Sequence, residues 1–349
     1  MLGFSRIEVS RPERALCKHL PDRAYEIYNR SMVQPENSPL SGIRIIDGGL
    51  ASELEAAGAR IGGPLWSAHV LEDEPEKLAA VHRAYIEAGA ECLATCSYQV
   101  SRMGYAEVGL RPEQADAALL RSVAIARAVV AEFPAKRVLV AGSLGPYGAA
   151  LHNGGEYTGD YNCTHADLVS FHRDRIEVFA RAQGDAAPDL LAFETFPSLD
   201  EARAVGEALA PWPELRAWFS FSCRDDRHVA HGESVAEVAA LVASFPQTVA
   251  IGVNCVPARW LPSLTLELKR GSTKPVVVYP NSGEGWDAAN RCWTGQTDPV
   301  DFGRQAAEWF RLGASIVGGC CRIGPEHIRQ AAIAARSLKL KAESYRSGA

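Results

Sequence analysis

Ser315-Ile316-Val317-Gly318-Gly319-Cys320-Cys321-Arg322-Ile323-Gly324-Pro325 ends an apolar run with two glycines and two cysteines, then opens a helix at Gly-Pro. In a regular strand, neighbouring side chains point to opposite faces. Adjacent cysteines therefore serve one centre only where the strand ends and the backbone bends. Gly318 and Gly319 are expected to supply that bend through their conformational freedom. A similar run, Val249-Ala250-Ile251-Gly252-Val253-Asn254-Cys255, ends in a third cysteine. Three thiols at the ends of two strands, with no fourth Cys or His in either motif, fit an open zinc site better than a closed structural one.

The same kind of run recurs along the chain. Eight apolar stretches are expected as strands: Ile43–Asp47, Glu91–Tyr98, Arg137–Gly142, Leu190–Thr195, Ala217–Cys223, Thr248–Cys255, Pro275–Pro280 and Ser315–Cys321. Between and after them lie helical patterns at 75–88, 113–132, 165–183, 199–210, 234–244, 258–270, 300–312 and 325–338. In 75–88, Leu78, Val81, His82, Tyr85 and Ile86 share one face. Gly89 and Gly313 stand where helix C-caps are expected before the next strand. Eight strands alternating with eight helices predict an α/β chain folded as a single (β/α)8 TIM-type barrel. A doubly wound open sheet is the competitor, but Asp47-Gly48-Gly49 lacks the G-x-G-x-x-G spacing that such a sheet usually carries. Residues 1–41, broken by Pro12, Pro21, Pro35 and Pro39, read as an N-terminal extension outside the core with no assigned function. Residues 42–340 form the barrel domain.

In a barrel, catalytic groups belong at the C-terminal ends of strands. Asp47 ends the first run, Thr95 to Gln99 close the second and Glu194 the fourth. Asn254 and Cys255 end the sixth, Tyr279 to Asn281 follow the seventh, and Cys320 and Cys321 end the eighth. The sixth and eighth runs should flank the seventh, which brings their cysteines within reach of one ion. Gly145–His165 and Asn281–Pro299, the latter with Trp286 and Trp293, are expected to cover this mouth.

Bulk properties exclude several classes. The net charge of −6 and the lack of a basic cluster disfavour a nucleic-acid partner. No apolar run approaches the ~20 residues of a membrane span. Charged residues interrupt the first 20 positions, so no secretory signal is read there. Nine scattered cysteines do not resemble a secreted disulfide framework and fit a reduced, cytoplasmic chain.

Three thiolates leave zinc with a formal charge of −1. Such an ion is a poor Lewis acid but a good holder of a further thiol as thiolate. S-alkylation of a thiol substrate is the natural chemistry. Asp47 before two glycines could face an ammonium group while the glycine amides bind a carboxylate; a plainer reading makes it a helix cap. Glu194 lies inside an apolar run and needs a partner, either a substrate ammonium or an internal Arg. Together these groups describe a pocket for an amino acid that carries a thiol. His82 reads as a core residue. Two rivals remain: a barrel lyase, which would want a strand-end Lys or a His/carboxylate metal site, and a non-catalytic zinc or redox sensor using Cys320 and Cys321.

At this point the motifs resemble one family, the zinc-dependent homocysteine S-methyltransferases. The matching pieces are Asp47-Gly48-Gly49 with Leu54-Glu55, Leu65-Trp66-Ser67-Ala68, Thr95-Cys96-Ser97-Tyr98-Gln99 and Ala141 to Gly148. They continue with Glu156-Tyr157, Glu194-Thr195, Gly252-Val253-Asn254-Cys255, Val278 to Glu284 and Gly318-Gly319-Cys320-Cys321. The resemblance implies a methyltransferase that makes methionine from L-homocysteine. Zn2+ would be held by Cys255, Cys320 and Cys321. Asp47 and Glu194 would hold the substrate ammonium, Gly48 and Thr95 would lie near its carboxylate, Gln99 would line the substrate site, and Asn254 would support the centre. The chain looks most like the branch using S-methylmethionine, and often S-adenosylmethionine. Thr195 and Gln99 stand where the betaine-dependent branch has tyrosines, which argues against betaine. Only small-molecule partners are expected; monomer and homodimer both stay open.

Overall fold

The structure is a computed structural model. It describes residues 38–62, 65, 68–283, 285–287, 292–294 and 298–347, with side chains of 285–287, 292–294 and 341–347 left aside. Most of the expected extension, and Trp66, Ser67 and Glu284, lie outside the described residues. So do the side chains of Trp286 and Trp293.

Seven strands form one parallel sheet: β1 (Cys92–Ala94), β2 (Leu139–Leu144), β3 (Leu190–Phe196), β4 (Ala217–Phe221), β5 (Thr248–Pro257), β6 (Val276–Asn281) and β9 (Ile316–Val317), in the order β1-β2-β3-β4-β5-β6-β9. A separate antiparallel hairpin, β7 (Gly285–Asp287) with β8 (Cys292–Thr294), occupies the expected covering segment after β6. The first expected strand is shorter than its apolar run. Ile45 bridges Val317 and Ile46 bridges Cys92, both in parallel. Its hydrogen bonds run both ways: Ile46 N to Val317 O at 3.0 Å and Asp47 N to Cys92 O at 3.1 Å. The 44–47 segment thus pairs with both β9 and β1.

Alternation along the strands separates two cores. Cys92, Leu139, Ala141, Leu190, Ala192, Trp218, Ala250, Val277, Tyr279 and Ile316 cluster on one face of the sheet. The residues between them, such as Val140, Leu191, Phe193, Phe219, Ile251 and Val278, pack on the helices. The sheet therefore curls around the first group. Leu40 belongs to that inner cluster and is fully buried, and the Arg137 guanidinium holds Ser41 O and Pro39 O. The last residues of the expected extension are thus part of the core, because an apolar side chain there closes its N-terminal end.

The helices follow the sequence pattern closely. Pro75–Ala88 starts with proline, whose missing N–H is harmless in the first turn, and ends at Gly89 with φ 113°. Pro299–Leu312 is capped by Asp298 and ends at Gly313 with φ 112°. The helix expected from 258 begins instead as a 3-10 turn, Ala258–Trp260, and becomes α-helical at Leu261. Pro262 explains the shift, since it fits a first turn but not a helix interior. Short helices at Leu50–Ala56, Arg102–Glu107 and Tyr147–Ala150 add to the pattern. Among the described residues, no helix is long and apolar enough to cross a membrane.

Candidate metal and substrate site

On the inner face the strand residues change character towards their C-terminal ends. Leu139 and Ala141 give way to Ser143, Leu190 and Ala192 to Glu194, Trp218 to Ser220, and Ala250 to Asn254. Core and site thus share the same strands at different heights.

β5 and β9 flank β6, as expected, so Cys255 meets Cys320 and Cys321. Their sulfurs lie within 4.8 Å of one another, and Cys255 Sγ is 3.8 Å from Cys321 Sγ. The end of β6 grips the cysteine turn. Cys320 N donates to Pro280 O at 2.8 Å, Ser282 N to Cys321 O at 3.1 Å, and Cys321 N to Asn281 Oδ1 at 3.2 Å.

Gly318 and Gly319 work differently from the expectation. Neither has a left-handed φ. A Cβ on Gly318 would lie 2.2 Å from Ile46 Cγ1, and one on Gly319 2.0 Å from Ile323 Cγ2. They are small so that neighbouring segments can pass. Three left-handed residues at these strand ends are not glycines: Thr195 (φ 63°), Cys255 (φ 54°) and Arg322 (φ 65°). Each such residue costs about 1–3 kcal/mol and persists only where its surroundings hold it. Asn254 holds Thr195: its Oδ1 accepts from Thr195 N at 2.8 Å and its Nδ2 donates to Thr195 Oγ1 at 2.7 Å. The same Nδ2 lies 4.0 Å from Cys320 Sγ.

Hydrogen bonds from Cys320, Cys321 and Tyr157 hold the Cys255 thiol well below its usual range. Hydrogen bonding to Cys255 pushes Cys320 and Cys321 up. Tyr157 stood among the matching motifs with no role assigned to it, and its hydroxyl lies 3.2 Å from Cys255 Sγ. Its neighbour Glu156 has a buried Oε2 with no hydrogen-bond partner among the described residues, and burial raises that carboxyl.

The two acids lie near enough for Glu194 to feel the charge of Cys255, and Asp47 that of Glu194. Asp47 Oδ2 accepts from Ala94 N at 2.8 Å; burial pushes its carboxyl well up despite that bond, and the Glu194 charge adds to the rise. Glu194 accepts from Ser143 Oγ at 2.5 Å and is pushed up to about 7 by burial, against hydrogen bonds from Ser143 and Tyr279. Among the described residues, no Arg lies in ion-pair contact with Glu194. Thr95 stands behind Glu194. Ser97 Oγ donates to Ser143 O, so the proton in the 2.6 Å Thr95–Ser97 contact comes from Thr95. Thr95 Oγ1 also accepts from Ser143 N at 3.0 Å. Its hydroxyl therefore orients Ser143. Gly49 N donates to Ile323 O at 2.9 Å, and a Cβ on Gly48 would lie 2.1 Å from the same oxygen. Gln99 donates to Ala149 O at 3.3 Å, while its buried Oε1 has no partner among the described residues. His82 is a buried core residue, held neutral because burial lowers it to about 4.

The homocysteine S-methyltransferase family model matches residues 44–335. The chain belongs to this family. It is 42% identical over 314 residues to the homocysteine S-methyltransferase of Escherichia coli (strain K12), covering 86% of this chain and 99% of that protein. It is 40% identical over 303 residues to the homocysteine S-methyltransferase YbgG of Bacillus subtilis (strain 168), covering 84% and 95%. The crystal structure of the homocysteine methyltransferase MmuM from Escherichia coli in its metallated form superposes with a TM-score of 0.73 at 42% identity, over 84% of this chain and 96% of that chain. A metal-binding family member thus shares this fold.

Proposed function

We propose that this protein moves a methyl group from a sulfonium donor, S-methylmethionine or S-adenosylmethionine, to the sulfur of L-homocysteine, giving methionine. The observation that carries this is the convergence of three cysteine sulfurs in a site that also buries the carboxyls of Asp47 and Glu194. The donor set suits zinc. Sulfurs bound to one tetrahedral zinc at about 2.3 Å stand about 3.8 Å apart, and the Cys255–Cys321 separation is 3.8 Å. Bound by Cys255, Cys320 and Cys321, zinc would hold the homocysteine sulfur as a thiolate at neutral pH.

The remaining work falls to the chain. Asp47 and Glu194 receive the ammonium group, whose positive charge restores both carboxylates to the ionised form that burial opposes. Gly48 lies beside the carboxylate subsite, and the orphaned Gln99 Oε1 offers a further acceptor. Asn254 fixes Thr195 and Cys320, while Thr95 and Ser143 fix Glu194. The new S–CH3 bond forms on homocysteine sulfur as the donor's S–CH3 bond breaks, and the donor sulfur keeps the bonding pair. Charge is neutralised in this step, so a water-poor pocket favours it. Alignment of the two sulfurs supplies much of the rate.

We also read the sheet as a closed (β/α)8 barrel spanning 42–340, supported by the pairing of 44–47 with both β9 and β1. A cytoplasmic enzyme of small-molecule substrates fits this reading. The decisive experiment assays homocysteine against S-methylmethionine, S-adenosylmethionine and betaine in parallel, with zinc measured on the same sample. Cys321→Ser should lose metal and activity together. Full activity in metal-stripped protein would overturn the mechanism.

A further inference from the structure

Ser198-Leu199-Asp200-Glu201 opens the Leu199–Leu209 helix with the spacing of a capping box. Ser198 Oγ accepts from Glu201 N at 3.2 Å. The Glu201 carboxylate, however, turns inward and is fully buried. Its Oε1 accepts from Tyr147 N at 2.5 Å and from His172 Nε2 at 3.0 Å. Its Oε2 accepts from Tyr161 OH at 2.9 Å. Behind it, Arg175 Nη2 donates to Gly145 O at 2.8 Å and to His172 Nδ1 at 2.9 Å. The donation from Arg175 fixes the imidazole tautomer, so Nε2 carries the hydrogen that Glu201 receives. A buried cation and a buried anion are thus joined through a neutral histidine. Such a network is costly to bury and adds little net stability over an apolar core. What it does uniquely is hold one segment of chain at both ends.

That segment is 145–161. Between its anchored ends lie Glu156, whose carbonyl accepts from Ser222 Oγ at 2.6 Å, and Tyr157, whose hydroxyl stands 3.2 Å from Cys255 Sγ. Gly148 passes so close beneath that a Cβ there would lie 2.5 Å from Glu156 N. We propose that Glu201 is a positioning residue for methyl transfer: through Tyr147 and Tyr161 it sets where Glu156 and Tyr157 stand over the cysteine cluster. Glu201 touches none of the cysteines. The inference rests on the methyl-transfer reading of that cluster.

The test compares wild type, Glu201→Gln and Tyr161→Phe. Kinetics are measured for homocysteine at saturating S-methylmethionine, with metal content on the same samples. Metal content should stay at the wild-type level. KM for homocysteine should rise about tenfold in Glu201→Gln and about threefold in Tyr161→Phe, with kcat changed less, as expected when a displaced 156–157 segment weakens substrate binding. In metal-stripped protein, the rate at which iodoacetamide alkylates Cys255 should change in both variants, read by peptide mass spectrometry, because the phenol that covers and hydrogen-bonds that sulfur is no longer held. A merely structural role would lower the active fraction and kcat while leaving KM and the alkylation rate unchanged, and that result overturns the proposal. If Glu201→Gln does not fold, Tyr161→Phe, which removes a single hydroxyl, decides alone. A wild type inactive with every donor would sink the methyl-transfer reading, and the alkylation rates would still judge the positioning.

Discussion

Glu194 is made costly by the surroundings that make it useful. Burial lifts its carboxyl from 4.5 to about 7, so the folded protein holds this proton more tightly than the unfolded chain does. The group therefore favours folding below about pH 4.5, and that contribution is lost as pH rises through about 7. In metal-free protein, Glu194→Gln should equal wild type in stability at the acid end and exceed it by up to ~3 kcal/mol above pH 7, measured by denaturant melts across that range. The same variant should bind homocysteine more weakly. Asn254→Ala should cost about 2–3 kcal/mol, because it leaves Thr195 N–H buried without an acceptor and its left-handed backbone unsupported; thermal melts and a metal titration check both consequences. The cysteines were legible as letters, since adjacent thiols beside paired glycines fill a core poorly. The bends that present them were not. The left-handed conformation falls on Cys255 and Arg322, residue types that carry no signal for it, while Gly318 and Gly319 answer to the bulk of Ile46 and Ile323.

Elements with a strong period and a punctuating cap were legible almost to the residue. Pro75–Ala88 coincides with its pattern because proline, an apolar stripe and Gly89 agree. The shorter elements escaped because one turn of helix has no period to count. Tyr147–Ala150 is the important case, since it carries the floor under Glu156. Gly148→Ala should force this turn and the 155–157 turn apart, at a cost of about 1–3 kcal/mol and with a raised KM for homocysteine. Differential scanning calorimetry with steady-state kinetics tests it; an unchanged KM would mean that the two turns move independently. The Glu201 network was equally hidden. Ser198 to Glu201 reads as a helix cap, and only the folded chain reveals that the carboxylate serves another segment.

At the scale of the whole molecule, the repeat of strand and helix was legible because each run was bounded by Gly, Pro, Asn or Asp. The pairing of 44–47 with the last strand was legible only as a consequence of the expected barrel, since no local signal joins positions so far apart in the chain. Leu40→Ala should cost about 2–5 kcal/mol, as it opens a cavity beneath the inner cluster, whereas a chain starting at Ser38 should keep wild-type kinetics; urea titrations and the homocysteine assay separate the two. The pairing also bears on how the protein is made. Val317 N donates to Arg44 O and Gly319 N to Asp47 O, so the first strand segment finds one of its two neighbours only when the last strand has been synthesised. Cys255 leaves the ribosome well before Cys320 and Cys321, and until they arrive it has no companion thiols. The thiol cluster is therefore a mark of a finished chain, and a translation product cut short before residue 316 could neither seal its first strand nor assemble a three-sulfur cluster.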